Sequence, residues 1–383
     1  MLDPKIWAAV PFHFWSVVFF VFGSMVGSFL NVCIHRMPRN ESIVSPPSHC
    51  PHCNYSIPWY LNMPLITWLV LRGKCKNCAA PISVRYFLVE LLTGVAFLAC
   101  WLNFGPRSAL LALAYCVLLA GFIAATFIDL EHLIIPDEIT YGGAVVGFLL
   151  SFAAPLLHHT TERAPAMKAS LIGIVVASGT VYLVLRGGKL LFGRERIQLE
   201  PDSKLVFTED HLLLPDGRQI PYGDMLYRDT DVLRLYAKTI ELPEVCYYAK
   251  DVTLSAKELT IGEEKFNPEE VKRMEIVTSE LIRPREAMGL GDVKFMAAIG
   301  AFLGWQASIF TFFGSAVIGS IISIGLMAMG RKDRSSQIPF GPFLVLAAVV
   351  WVFLPPVAQN YWLDSIRLFG EAFFGGPRPE IQG

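Results

Sequence analysis

Two aspartates stand where charge is costly. Asp129 follows an apolar run of about twenty residues in FIDLEHLIIPDEIT (127–140), and Asp292 opens another in GLGDVKFMAAIGAFLGW (289–305). Ionisable side chains at membrane depth are rare and mark function. Two carboxyls brought together cannot both ionise cheaply, so they share one proton and titrate as a unit. Such a pair hydrolyses a peptide bond. One carboxylate accepts a proton from water while the other donates one to the carbonyl oxygen, with no metal or nucleophilic side chain. Gly289 and Gly291 lack Cβ atoms, which predicts a positive-φ turn and close approach of a substrate backbone beside Asp292. A helix N-terminus there suits Asp292 to the role of base. A lone Asp at a span end more often caps a helix or sits at the interface. Asp137 and Glu138, after Pro136, read that way, with Asp137 as the cap of the next helix.

Four of the eight cysteines form a second constellation. Cys50 and Cys53 make one C-x-x-C, Cys75 and Cys78 another, with 21 residues between them. Two such knuckles offer four thiolates to a tetrahedral Zn²⁺. Four thiolates leave no position for water, so this zinc is expected to be structural. A reducing cytosol argues against disulfides. His49 and His52 are neighbouring imidazoles that a metal could take instead of a cysteine. Cys33, Cys100 and Cys116 lie in apolar runs and Cys246 in a polar segment, where they read as small buried hydrophobes.

Elements that could position these groups are mostly apolar. The 383-residue chain is 54% hydrophobic and 17% charged, against about 25% charged in a soluble domain, and its mean hydropathy is +0.48. Runs at 14–34, 86–104, 108–128, 139–157, 168–186, 289–305, 307–329 and 340–358 predict eight spans, each near the roughly 20 residues a bilayer requires. The first run lacks a basic n-region and is too long for a signal peptide, so it reads as a first span. Basic residues crowd 35–85 (Arg36, Arg39, Arg72, Lys74, Lys76, Arg85) and 330–338 (Arg331, Lys332, Arg334). By the bias of cationic loops toward the cytosol, the first, third, fifth and seventh loops are cytosolic and both termini lie outside. Asp129 and Asp292 then meet one cytosolic boundary.

Residues 187–286 break the pattern, with 15 basic and 20 acidic side chains. KLVFTEDHLLLPDGRQI and DVTLSAKELTIGEEKF alternate apolar and polar residues, with turns at 215–217 and 262–264. The two stretches read as a weak internal repeat, and 268–276 as one short helix. Aliphatic and Tyr content is too high for a disordered linker. The expected fold is an all-α polytopic membrane protein of about eight transmembrane helices, with a cytosolic zinc-knuckle loop and an inserted small β-rich cytosolic domain. The expected divisions are 1–34 (first span), 35–85 (zinc loop), 86–186 (spans with Asp129), 187–286 (insertion) and 287–383 (spans with the G-x-G-D motif).

Taken together, the motifs resemble the type IV prepilin peptidase family, whose bifunctional members are leader peptidases and N-methyltransferases. GSFLNVCIHRMPR (27–39), the paired C-x-x-C loop with WYLNMPLITW, RYFLVELLTG (85–94), FIDLEHLIIPD, GLGDVKFMAAIGAFLGW with Lys294, and IPFGPFL (338–344) follow the family's order. The resemblance implies catalytic roles for Asp129 and Asp292. It also implies cleavage after a glycine between a basic leader and an apolar segment of a prepilin or pseudopilin, in type IV pilus assembly or type II secretion. The site would be the cytosolic face of a bacterial inner membrane, in contact with lipid. It further implies N-methylation of the new terminus with S-adenosylmethionine, for which Glu90 and Gly27–Asn31 are candidates by resemblance alone, since no dinucleotide-type glycine fingerprint is present. The insertion departs from the family, which keeps the two aspartates closer in sequence. A transporter, which would place carboxylates near the midplane within an inverted repeat, and a non-catalytic zinc-knuckle scaffold are the alternative readings. Scattered basic residues and a near-zero net charge of -1 give no support to nucleic-acid binding.

Overall fold

Apolar helix formers dominate the membrane-like runs, and a computed structural model shows them as long helices. It describes residues 11–374 except 193, 223–224, 227–231, 244, 256, 269–270, 285–288 and 330–337. The basic cluster Arg331, Lys332 and Arg334 lies outside the described residues. The helices are α1 (Phe12–Arg36), the short α2 (Ile66–Val70), α3 (Val84–Phe104), α4 (Ala109–His132), α5 (Asp137–Ala153), α6 (Arg163–Phe192), α7 (Leu290–Ala328), α8 (Gly341–Phe353) and α9 (Pro356–Phe374). Five of these (α1, α3, α4, α6, α7) are long and apolar enough to cross a membrane, or six segments if the α8–α9 pair, bent by 117°, is one span. Eight separate spans are therefore not what the helix boundaries alone yield. The expected runs 289–305 and 307–329 both fall in α7, on either side of a break at Gly304, while α5 and α8 are only 17 and 13 residues long. With eight strands present, all-α describes the helical part only.

Two compact units are seen, one of Met1–Tyr182 with Leu290–Gly383 and one of Leu183–Gly289. In the helical unit, small residues set the crossings. A Cβ on Gly23 would lie 2.7 Å from Phe97 Cβ, and one on Gly27 2.7 Å from Glu90 Cα, so α1 and α3 run antiparallel in close contact. Trp101 stacks on Phe19 at 4.7 Å near the other end of that seam. Helices α3 and α4 are antiparallel too, joined by Phe104–Tyr115 at 4.4 Å at one end and the Arg85–Glu131 ion pair at the other. Gly143 faces Ala298 and Gly147 faces Phe302, so α5 runs parallel to the start of α7. Gly173 of α6 meets Gly300 of α7 backbone to backbone, and the Ser170 hydroxyl donates to the Ala301 carbonyl at 2.8 Å. Close approach through glycine is how apolar helices associate without a hydrophobic drive between them.

Helix α7 is not one rod. At about 1.5 Å per residue, its 39 residues would reach roughly twice the 30 Å hydrocarbon thickness, but Gly304 breaks it with φ 79 and ψ 176. Only glycine takes that conformation without a Cβ penalty. After the break, Gly314 faces Ala347 and Gly319 faces Phe343, so this half of α7 is antiparallel to α8.

The second unit is one antiparallel sheet in the order β3-β2-β1-β8-β4-β5-β6-β7. Its strands are β1 (Arg194–Thr208), β2 (His211–Leu213), β3 (Gln219–Pro221), β4 (Val232–Glu241), β5 (Cys246–Ser255), β6 (Leu259–Ile261), β7 (Glu264–Phe266) and β8 (Arg273–Pro284). The order reads the same from both edges when β1–β4 are exchanged with β5–β8, which is a pseudo-twofold around the β8–β4 pair. Register agrees: Arg234 pairs with Ile282 as Glu241 pairs with Glu275, and Leu235 with Leu281 as Ile240 with Ile276. Buried Leu205, Phe207, Leu212 and Leu214 correspond to Val252, Leu254, Leu259 and Ile261. Thr208 and Ser255 close the same turn, each hydroxyl donating to the carbonyl three residues on. The weak repeat in the sequence is thus a structural duplication. The helix expected over 268–276 does not take in its second half: β8 claims Arg273 onward because Met274, Ile276 and Thr278 alternate into the core, and 269–270 lie outside the described residues.

Candidate active site

Asp129 belongs to the last turn of α4. Leu133, in the left-handed region at φ 56, ends the helix by donating its N–H to the Asp129 carbonyl. The chain then turns through Ile135 and Pro136 into α5. Asp292 sits in the first turn of α7. Both side chains are buried, at 5% and 9% exposure. The helices touch: Phe122, two turns before Asp129 on the same face, meets Phe295, one turn after Asp292, edge to face at 5.8 Å. Ile135 lies between the two acidic positions. A Cβ on Gly291 would be 3.8 Å from the Ile135 amide nitrogen, and one on Gly341 would be 3.2 Å from Ile135 Cδ1 and 2.6 Å from Asp129 Oδ2. The Gly341 N–H, at the start of α8, donates to Asp129 Oδ2 at 2.9 Å. The C-terminus of α4 and the N-termini of α3, α5, α7 and α8 therefore gather at one end of the helical unit.

Lys294 is adjacent but serves packing. Its Nζ reaches Asp137 Oδ1 at 2.8 Å and lies 4.8 Å from the Tyr141 ring centroid, tying α7 to the first turn of α5. The expected capping role of Asp137 gives way to this ion pair, and Pro136 precedes the helix with no side-chain cap. The expected positive φ is also not found at Gly291. Gly291 is already helical and lies at ordinary van der Waals distance from Ile135. The contribution of Ile135 and the Gly341 amide was not legible beforehand. The one available signal was that Gly341 falls within IPFGPFL.

The four cysteines converge. Cys50 and Cys78 sulfurs are 3.8 Å apart, Cys53 and Cys75 are 4.0 Å apart, and all four lie within 4.8 Å of one another. Tetrahedral Zn²⁺ with sulfur at about 2.3 Å requires sulfur–sulfur edges of about 3.8 Å, so the group fits such an ion. The two knuckles repeat one backbone pattern. Cys50 N–H donates to Tyr55 O and Asn54 N–H to Cys50 O, as Cys75 N–H donates to Ala80 O and Ala79 N–H to Cys75 O. Asn54 and Ala79 hold positive φ of 54 and 57. Hydrogen bonding by the Asn77 side chain and the Tyr55 backbone holds the Cys53 thiol down to about 6, while Cys78, despite the Ala80 backbone hydrogen bond, is pushed up by desolvation and the neighbouring thiols. The loop is fastened to α3 by the Leu65 N–H, which donates to Glu90 Oε2 at 2.8 Å.

Glu90, the methyl-donor candidate, is buried against Gly27. Asn31 donates to the Tyr86 carbonyl at 3.0 Å, and its buried Oδ1 has no hydrogen-bond partner. The segment 27–31 and Glu90 are thus brought together across the α1–α3 seam.

The helical unit is that of a polytopic membrane protein, with two buried carboxyls gathered at one end and a four-thiol knuckle fastened to α3. Comparison with known proteins sharpens this. Residues 21–104 match the bacterial peptidase A24 N-terminal domain, and residues 116–197 and 274–324 match the type IV leader peptidase family. The interval 198–273, left out of that match, lies inside the sheet unit. The prepilin leader peptidase/N-methyltransferase of Aeromonas hydrophila is 29% identical over 385 residues, covering 93% of each chain. Its counterpart in Myxococcus xanthus is 41% identical over 182 residues, 48% of this chain and 51% of that protein. The type 4 prepilin-like proteins leader peptide-processing enzyme of Escherichia coli is 44% identical over 149 residues, 34% of this chain and 55% of that protein. No solved structure matches. The chain belongs to the type IV leader peptidase family, also called the type IV prepilin peptidases.

Proposed function

We propose that the protein removes the leader from type IV prepilin-like precursors at the cytosolic face of a bacterial inner membrane, with Asp129 and Asp292 as the catalytic pair. The observation that carries this reading is the meeting of two buried carboxyl-bearing helix ends at Ile135, from segments separated by the whole insertion. In such a site one carboxylate takes a proton from water as the oxygen attacks the scissile carbonyl. The other carboxyl donates its proton to the carbonyl oxygen. Collapse of the tetrahedral species then sends a proton to the leaving amine and restores the shared one. The low local dielectric around the two buried carboxyls strengthens their coupling.

Helix directions support a membrane topology. Helices α1, α3, α4, α5 and α6 alternate in direction, the two halves of α7 reverse at Gly304, and α8 opposes the second half. Counting α7 as two, we read eight crossings among the described helices, with the aspartates at the end that bears the basic 35–85 loop, which favours the cytosolic face. The divisions 1–34, 35–85, 86–186, 187–286 and 287–383 describe that arrangement. Zinc held by Cys50, Cys53, Cys75 and Cys78 would pin the loop and take no part in hydrolysis. Methylation of the new N-terminus with S-adenosylmethionine follows the relatives' names, and Glu90 with Asn31 Oδ1 offers buried acceptors that the donor's amino group would fit.

Purified protein incubated with a prepilin and S-adenosylmethionine tests both halves by mass spectrometry. The expected product lacks its leader and carries one methyl group on the new terminus. Intact precursor would remove the peptidase reading, and an unmethylated cleaved product the transferase reading.

A further inference from the structure

The start of α8 touches the chemistry without contributing a side chain. Gly341 N–H donates to Asp129 Oδ2 at 2.9 Å, in a bond that is fully buried. A carboxylate oxygen that accepts a backbone N–H at a helix N-terminus is held by charge-assisted hydrogen bonding. The same position admits no side chain: a Cβ there would stand 2.6 Å from that oxygen and 3.2 Å from Ile135 Cδ1. Helix α8 is in turn seated on α7, through Ala347 against Gly314 and Phe343 against Gly319. The donor thus belongs to a packed element on the chain that also carries Asp292.

We propose that Gly341 is a positioning residue for leader cleavage. Its backbone N–H fixes Oδ2 of Asp129, so that Oδ1 is the oxygen presented to water and to the second carboxyl. Glycine is required because any Cβ would drive the carboxyl off that bond. The inference rests on the reading of Asp129 as catalytic, and it adds that α8 sets the orientation of that carboxyl. A misdirected carboxyl loses rate without losing substrate affinity, since proton transfer depends on alignment far more than binding does.

Gly341→Ala and Asp129→Asn are compared with the wild type for leader cleavage, for methylation of a pre-cleaved pilin and for melting in detergent. The expected result for Gly341→Ala is a fall in kcat of about tenfold or more with KM within about twofold, while methylation stays at its wild-type value and the variant still melts as a folded protein. A folded Gly341→Ala with wild-type kcat, or one whose loss lies in KM, overturns the proposal. If Asp129→Asn is inactive in the same assay, the catalytic reading survives that outcome. Full cleavage by Asp129→Asn sinks the catalytic reading itself. Should Gly341→Ala fail to assemble, amide hydrogen exchange decides. Exchange at Gly341 is expected to be about tenfold faster in Asp129→Ala than in the wild type, and equal rates overturn the proposal.

Discussion

Asp137 and Lys294 show how a single pair of residues can mislead. Both fall in the segments that carry Asp129 and Asp292, and a charge beside a G-x-G-D motif invites a chemical role. The geometry makes them a clasp between α5 and α7, with Asp137 62% and Lys294 30% exposed by side chain. Exposed pairs of this kind contribute about 1 kcal/mol or less. Asp137→Asn is therefore expected to change the melting free energy by less than about 1 kcal/mol and to leave leader cleavage in place. Thermal melting with a parallel processing assay checks this, and loss of cleavage would give the clasp a catalytic role. The acidic pair was legible because a carboxyl next to a membrane-length apolar run needs a reason. The cysteines were legible because spacing alone makes a knuckle. Gly341 was not, since a backbone N–H leaves no mark in side-chain chemistry.

At the scale of elements, glycine does two jobs that composition hides. Gly304 reverses α7 in mid-run, which hydropathy can suggest only as two adjacent apolar stretches. Gly173 and Gly300 let α6 and α7 cross with backbones in contact. A methyl group at 300 would collide with the Gly173 carbonyl and lie 2.8 Å from Ala177 Cβ. Gly300→Ala is expected to cost about 1–3 kcal/mol by overpacking, seen as a lower melting temperature. An unchanged temperature would show that the crossing relaxes freely. The four-cysteine loop, with the zinc proposed for it, makes a second expectation. Its described structure is two knuckles, one short helix and the Leu65–Glu90 bond to α3, with little core of its own. Chelation or Cys50→Ser should release zinc and open residues 41–82 to protease, while the helices stay resistant. Unchanged cleavage of that loop after complete metal removal would argue that the knuckles hold without an ion.

At the scale of the molecule, the sheet unit is a second compact body. It has a core of its own around Leu205, Leu233, Ile240, Ile276 and Leu281, all fully buried. Residues 183–289 expressed alone are expected to fold into a soluble β-rich domain, and Leu235→Ala to destabilise that fragment by about 2–5 kcal/mol in urea titration. A fragment lacking β circular dichroism would contradict this. The alternation in KLVFTEDHLLL and DVTLSAKELTI was readable as strands, and their likeness as a repeat. The exchange that places β8 between β1 and β4 was not readable, because local patterning says which residues face inward and not which strand they face. In the whole chain, replacing 190–282 by a short flexible linker should leave cleavage intact, as loop closure costs little. Its effect is expected in KM, growing at low salt if the acidic unit attracts basic leaders. A KM unchanged across salt concentrations would defeat that docking role.

The central claim is that Asp129 and Asp292 act as one unit on one peptide bond. Leader cleavage by Asp129→Asn, Asp292→Asn and the double variant tests it most directly, with kcat/KM measured on the same prepilin. Each single variant is expected to fall by at least about 100-fold, and the double variant no further than the worse single one. Wild-type processing by either single variant would contradict the account.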